Sequence, residues 1–119
     1  MFRPNRFVIN IPVSFETGFQ MATLDIYMPA KCQVTRVRSI VTKALAGTDN
    51  GTIQFKNSAG TNFTNGLLTH LASAALADKQ SAVPTANHVC LADDFIRLVT
   101  AKTTAGGEAL VQVEYKLVQ

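Results

Sequence analysis

The chain has 119 residues, 47% of them hydrophobic and only 16% charged, with 11 Lys and Arg against 8 Asp and Glu. That length fits one domain with a core large enough to fold without disulfides or metals. A net charge of +3 from scattered basic residues argues against the dense stripe of a nucleic-acid footprint, and no apolar run nears the roughly 20 residues of a membrane-spanning helix.

Residues 1–6, Met-Phe-Arg-Pro-Asn-Arg, lack the apolar stretch of a signal peptide and read as a basic N-terminal arm. A soluble protein made in a cytoplasm is expected. Residues 7–119 read as one β domain. Phe7, Ile9, Ile11, Val13 and Phe15 alternate with Val8, Asn10, Pro12 and Ser14, the period-2 pattern of a strand. Pro12 cannot donate to a ladder, so this strand belongs at an edge or carries a bulge. Thr17-Gly18 turns the chain, and Leu24, Ile26 and Met28 mark a second strand that stops at Pro29.

Residues 32–45 form the longest strand-like run. Val37, Ser39 and Val41 reverse the phase set by Val34, which predicts a bulge or bend near Thr35. Asn50-Gly51 is a strong hairpin signal, so a hairpin is expected from Ile40 to Phe55. Residues 57–62 are a turn. The next segment is ambiguous: Leu67, Leu68, Leu71, Ala72, Ala75 and Leu76 have helical spacing, yet Asn65-Gly66 ends an element and Leu67, Thr69 and Leu71 alternate. The reading taken is a strand or irregular stretch followed by a short Ala-rich turn or helix.

Residues 81–87 read as loop, with Val83 held extended by Pro84. His88 to Leu91 is a short strand, Asp93-Asp94 a turn, and residues 95–101 a strand. Residues 103–107 read as a hairpin loop. Ala109, Val111, Val113, Tyr115 and Leu117 then alternate with Gln112, Glu114 and Lys116, giving a dry face and a wet one. The total is about eight short strands with regular turn signals, the pattern of a single-domain β-sandwich of jelly-roll or Greek-key type.

Chemistry is sparse along this path. His70 and His88 are the only histidines, and no His-x-His pair or close Cys and His spacing suggests a metal. Cys32 and Cys90 sit in apolar strand contexts and read as buried free thiols, with a disulfide between them the alternative. Asp93-Asp94 falls at a turn, where Asp caps backbone N–H groups. Gly106-Gly107 has no helix and Lys after it, so it is a turn and not a phosphate loop. No serine lies in a nucleophile elbow. No enzyme activity, metal or cofactor is expected, and the basic residues, Lys102 among them, read as solvated strand faces. A charged fraction this far below the usual quarter implies either two covered sheet faces within one chain or apolar surface buried against another; the second is preferred.

The stretch of residues 39–53, Ser-Ile-Val-Thr-Lys-Ala-Leu-Ala-Gly-Thr-Asp-Asn-Gly-Thr-Ile, resembles the head decoration (cement) proteins of tailed bacteriophages, which carry a strand, a small-residue turn and then Gly-Thr-Ile or a close variant. Residues 81–87 and 106–115 resemble the same group, and the likeness runs over most of the chain after Phe7. The resemblance implies a jelly-roll domain on the outer surface of an icosahedral head. Its partners would be the major capsid protein and sister copies in a dimer or trimer, with no direct nucleic-acid or membrane contact. Arm residues Phe2, Arg3 and Arg6 are the expected capsid contacts. The alternative is another virion sandwich: a head-fibre base, a tail component, or a host-glycan-binding domain presenting Tyr27 and Phe63.

Overall fold

The computed structural model describes residues 6–16 and 23–118; Phe2, Arg3 and the expected Thr17-Gly18 turn lie outside the described residues. Among those described there is no helix. Nine strands follow in order: β1 (Arg6–Ser14), β2 (Thr23–Met28), β3 (Cys32–Lys43), β4 (Gly51–Lys56), β5 (Asn62–His70), β6 (Lys79–Ala82), β7 (Val89–Cys90), β8 (Asp94–Ala101) and β9 (Glu108–Leu117). One antiparallel sheet has the order β1-β9-β3-β6, with β7 also on β3; the other has β2-β8-β4-β5.

The pairings nest. β1 pairs with β9, β2 with β8, β3 with β6 and β7, and β4 with β5. The chain is thus a long two-stranded ribbon folded on itself, and rolling that ribbon brings β9 beside β3 and β8 beside β4. This is the jelly roll, an all-β sandwich whose inner faces interdigitate into one core. Phe15, Ile53, Phe55, Leu98, Val111 and Val113 are fully buried there. Each such side chain is worth roughly 1.5–3 kcal/mol when taken out of water.

Several local expectations hold. β1 is a sheet edge, as Pro12 requires. The register of β3 on β9 slips between Val34 and Arg36, where the phase reversal placed a bulge. β2 ends at Met28, before Pro29.

Both of the expected hairpins at residues 40–55 and 103–107 are wrong. β3 and β4 lie in different sheets, as do β8 and β9, so residues 44–50 and 102–107 carry the chain across the sandwich. Gly51 is buried inside β4 and is not a turn residue. A Cβ there would stand 2.9 Å from Leu45 Cδ2 and 3.1 Å from Phe15 Cζ, so glycine serves close packing. At the other crossing Gly106 and Gly107 have φ of 135° and 117°. Their backbones bond Phe15 twice (Gly106 N to Phe15 O, 2.7 Å; Phe15 N to Gly107 O, 2.8 Å), which aligns the crossing with the end of β1.

Asn65-Gly66 does not end an element. It is a bulge inside β5, with Asn65 at φ 60° opposite the irregularity between Gln54 and Lys56. Residues 79–82, half of them expected in a loop, form edge strand β6 on β3. The Ala-rich segment is a pair of turns. Two internal bonds close the turns (Ala74 N to Leu71 O, Asp78 N to Ala75 O), and neighbouring chain takes further groups: Leu45 N donates to Ala74 O and Ala77 N to Val41 O. Those tertiary bonds outweigh the helical preference of alanine.

Candidate interaction surface and buried polar sites

The inward face of β1 is covered unevenly. Val13 and Phe15 are buried, Ile9 and Ile11 half-buried, and Phe7 is 43% exposed. β9 shows the same gradient in reverse order: Val111 and Val113 are buried, Tyr115 is half-buried and Leu117 is 42% exposed. Phe7 and Tyr115 face each other in register and stack with ring centroids 5.5 Å apart. The dry face of the five-stranded sheet therefore runs past its own cover, leaving an apolar rim of Phe7, Tyr115 and Leu117 at one end of the sandwich.

Arg6, an expected contact, borders that rim. It opens β1, and its guanidinium donates to Glu114 Oε1 at 3.2 Å. Glu114 also accepts from Thr35 Oγ1 at 3.1 Å and lies 3.6 Å from Arg38. Arg38 donates to Gln112, which donates to Asn10. The outer face of this sheet is a polar ladder of side chains fixed by one another, beside a partly exposed apolar rim.

Buried polar chemistry is richer than the sequence suggests. His70 is fully buried on β5 between Asp78, which receives Nδ1 at 2.8 Å, and Ser39, whose Oγ lies 2.8 Å from Nε2. An ionised carboxylate only accepts, so Nδ1 donates to Asp78, while Nε2 pairs with the Ser39 hydroxyl. These residue types in this order make the relay of serine hydrolases. Here Ser39 is 2% exposed on the core side of β3, so its oxygen has no room for a substrate carbonyl. The three residues form a strut joining β3, β5 and the turn before β6.

Lys102 corrects the expectation of a solvated charge. It continues the inward phase of Ile96, Leu98 and Thr100, and its side chain is fully buried. The ammonium donates to Ala46 O, Asp49 O and Asp49 Oδ1. Asp49 Oδ2 accepts from Thr103 N at 2.7 Å and Thr104 N at 3.0 Å. One ion pair thereby ties the two sheet-crossing segments together. Sequence spacing hid it, since its members stand 53 residues apart.

The remaining candidates fall into structural roles. Asp94 accepts from Phe95 N, the backbone bond expected of this pair, and also from Ser58, whereas Asp93 accepts the Tyr27 hydroxyl. Tyr27 is 63% exposed, whereas Phe63 is buried against Phe55. His88 Nε2 meets Gln33, and its Nδ1 has no partner. Among the described residues no group of three His, Cys, Asp or Glu could hold a metal ion, and no helix is long and apolar enough to cross a membrane.

No family model matches the sequence, and no curated protein matches it. The fold has close counterparts. A chain of the cyanophage Pam1 capsid asymmetric unit superposes with a TM-score of 0.63 at 17% identity, covering 96% of this chain and 86% of that one. A chain of the acid-stable capsid of Helicobacter pylori bacteriophage KHP30 gives 0.61 at 14% identity, over 98% and 90%. At these identities the likeness is one of fold. It extends over nearly the whole of this chain and most of each of the other two.

The acidic side chains make a prediction about pH. Backbone and Lys102 hydrogen bonds hold Asp49 far below its ordinary value of 3.8. Lys43 and the Gly107 amide lower Glu16 from 4.5, while Arg97 lowers Asp25 and His70 lowers Asp78. A carboxylate depressed in the folded state adds stability that is fully present above its unfolded value and is lost as pH falls through the folded one. The melting temperature is therefore expected to be flat from pH 7 to about 5 and to fall steadily below 4. Asp49→Asn should flatten the acid limb more than Asp25→Asn; equal slopes in the two variants, measured by calorimetry, would contradict this assignment.

Proposed function

We propose that this chain is a structural virion protein: a capsid decoration or cement protein on the outer surface of an icosahedral phage head, stabilising contacts between major capsid subunits. The observation that carries the reading is the partly exposed apolar rim of Phe7, Tyr115 and Leu117 on a jelly roll shaped like chains of two phage capsids. A partly exposed end of a core face is surface that gains by meeting another chain. The proposed arm of residues 1–6 runs into β1, which Arg6 opens, ahead of a domain of residues 7–119. Phe2 and Arg3 reach the capsid, and Arg6 contacts it from the rim's border. Sister copies join as a dimer or trimer. A structural and not an enzymatic role is in keeping with the burial of the Ser39 and His70 side chains in the core.

A cement works by differential affinity. It binds the assembled lattice and not its dissociating state, so each copy shifts the equilibrium and many copies sum. The test is co-sedimentation with heads of the protein's own source, with the mass of the free protein measured alongside. Saturation at a fixed ratio by a stable dimer or trimer is expected. Phe7→Asp should weaken attachment by about 100-fold, because a desolvated rim anchor becomes a charge. Its melting temperature should change little, since Phe7 is exposed already. Removing residues 1–6 should weaken binding without unfolding, the Arg6–Glu114 pair being an exposed one. A monomer that ignores heads would refute the reading.

A second reading, a host-glycan-binding virion domain, is favoured by Tyr27 alone. Its ring is exposed beside Phe95, over which Arg97 sits 5.1 Å from the centroid. Burial of Phe63 removes the other aromatic that such a site would use.

A further inference from the structure

Cys32 and Cys90 lie 58 positions apart in sequence and directly opposite each other in space. They are register partners across the antiparallel β3–β7 pair, and both are buried free thiols. Side chains of directly opposed residues leave an antiparallel sheet on the same face. Their Cα atoms stand about 4.5 or 5.5 Å apart, depending on the pair type. Both separations fall in the range of roughly 4.4–6.8 Å that a disulfide spans without backbone movement.

We propose that Cys32 and Cys90 are the site of an intramolecular, cross-strand disulfide that forms when the reduced protein meets a low-molecular-weight disulfide oxidant. β7 gives the bond its purpose. It is only two residues long, and its attachment to β3 rests on this one ladder and on the bond from Val34 N to His88 O at 2.9 Å. A covalent link at Cys90 would fix the least anchored strand of the five-stranded sheet. The proposal stands apart from the capsid reading, although a protein that leaves a reducing cytoplasm for an oxidising exterior is one that would meet such an oxidant.

A path for the oxidant exists at Cys90. This residue lines a cleft of about 190 Å³ with Phe63, Leu91 and Phe95, and it is 6% exposed where Cys32 is sealed. With cystamine as oxidant, the Cys90 thiolate attacks one sulfur and the cystamine S–S bond breaks. The first cysteamine leaves and takes the proton that Cys90 gave up. The Cys32 thiolate then attacks the Cys90 sulfur and expels the second cysteamine, which takes the proton of Cys32. Two electrons pass from the cysteine pair to cystamine. Burial pushes the Cys90 thiol up to about 12 and raises that of Cys32, so exchange should be slow at neutral pH and faster in alkali.

The test uses the full chain, purified reduced. One arm incubates the folded protein with cystamine at pH 7 and pH 9. The other refolds it from denaturant in a cystamine–cysteamine buffer, which removes any kinetic barrier from burial. Intact mass and thiol alkylation after denaturation are read in both. A single chain lighter by two hydrogens, with no alkylatable thiol and a melting temperature raised by about 10 °C, is expected. Cys32→Ser and Cys90→Ser should each abolish the mass loss and the temperature gain. Two free thiols, cysteamine adducts or covalent dimers in the refolded native protein would overturn the proposal.

Discussion

His70→Ala destabilises the domain by about 4 kcal/mol, the sum expected for a cavity and an orphaned hydroxyl in one core. His70 is fully buried, and Ser39 beside it is 2% exposed, so neither the lost volume nor the lost hydrogen bond is replaced by water. Asp78 is 37% exposed on its side chain and takes water in place of the ring, so it adds little. His70→Leu separates the two effects. Leucine keeps most of the volume and leaves Ser39 unpaired, which should cost about 2 kcal/mol. Adding Ser39→Ala to His70→Leu should restore most of that, because two apolar partners orphan nothing. Urea unfolding of the wild type, His70→Leu, Ser39→Ala and the double variant gives the cycle. If His70→Leu were nearly neutral, or if adding Ser39→Ala restored nothing, the hydrogen bond would carry no stability and the strut account would fail. Simple ester substrates should be hydrolysed no faster with Ser39 than with Ser39→Ala.

The residues that were legible in the sequence are those whose role is local. Alternation fixed the faces of β1, β2 and β9, because a strand with one covered side must repeat every second residue. Pro12 marked an edge because a missing N–H is tolerated only there. The β3 phase slip marked a bulge because an extra residue reverses every side chain beyond it. What failed was long-range. Asn50-Gly51 has the chemistry of a tight turn, yet the glycine is required by the distance to Leu45 and Phe15, and neither side chain is adjacent in sequence. The same holds for the buried polar sites. His70 sits in the buried phase of Leu68 on β5, and only that phase signalled that it must have partners. Which partners it has depends on a roll that brings residue 39 to residue 70, and no spacing rule contains that. The apolar rim was foreshadowed by a charge content too low for a chain with nothing to cover, while its place at the open end of β1 and β9 needed the sheet order.

Lys102→Ala should cost about 4 kcal/mol, in the range found when one partner of a buried ion pair is removed. The argument rests on how completely the ammonium is used. It has three N–H donors and three acceptors, Ala46 O, Asp49 O and Asp49 Oδ1, and no exposure. Truncation empties the aliphatic stem's place in the core and orphans two carbonyls together. Lys102→Met keeps the stem and removes the charge, so it should cost about 3 kcal/mol if the polar loss dominates and under about 1.5 if packing does. The first result is expected, since the ammonium donates to two backbone carbonyls of the segment that carries the chain from β3 to β4 as well as to the Asp49 carboxylate. A consequence extends to the other crossing. Asp49 spends its second oxygen on the amides of Thr103 and Thr104, so losing Lys102 loosens the carboxylate that positions the path from β8 to β9. Amide hydrogen exchange should then speed up at Thr103 and Thr104 in Lys102→Met while Val111 and Val113, deep in β9, change only with global stability. Uniform acceleration across all four amides would mean that Lys102 supports the core as a whole and does not act as a clamp between the two crossings.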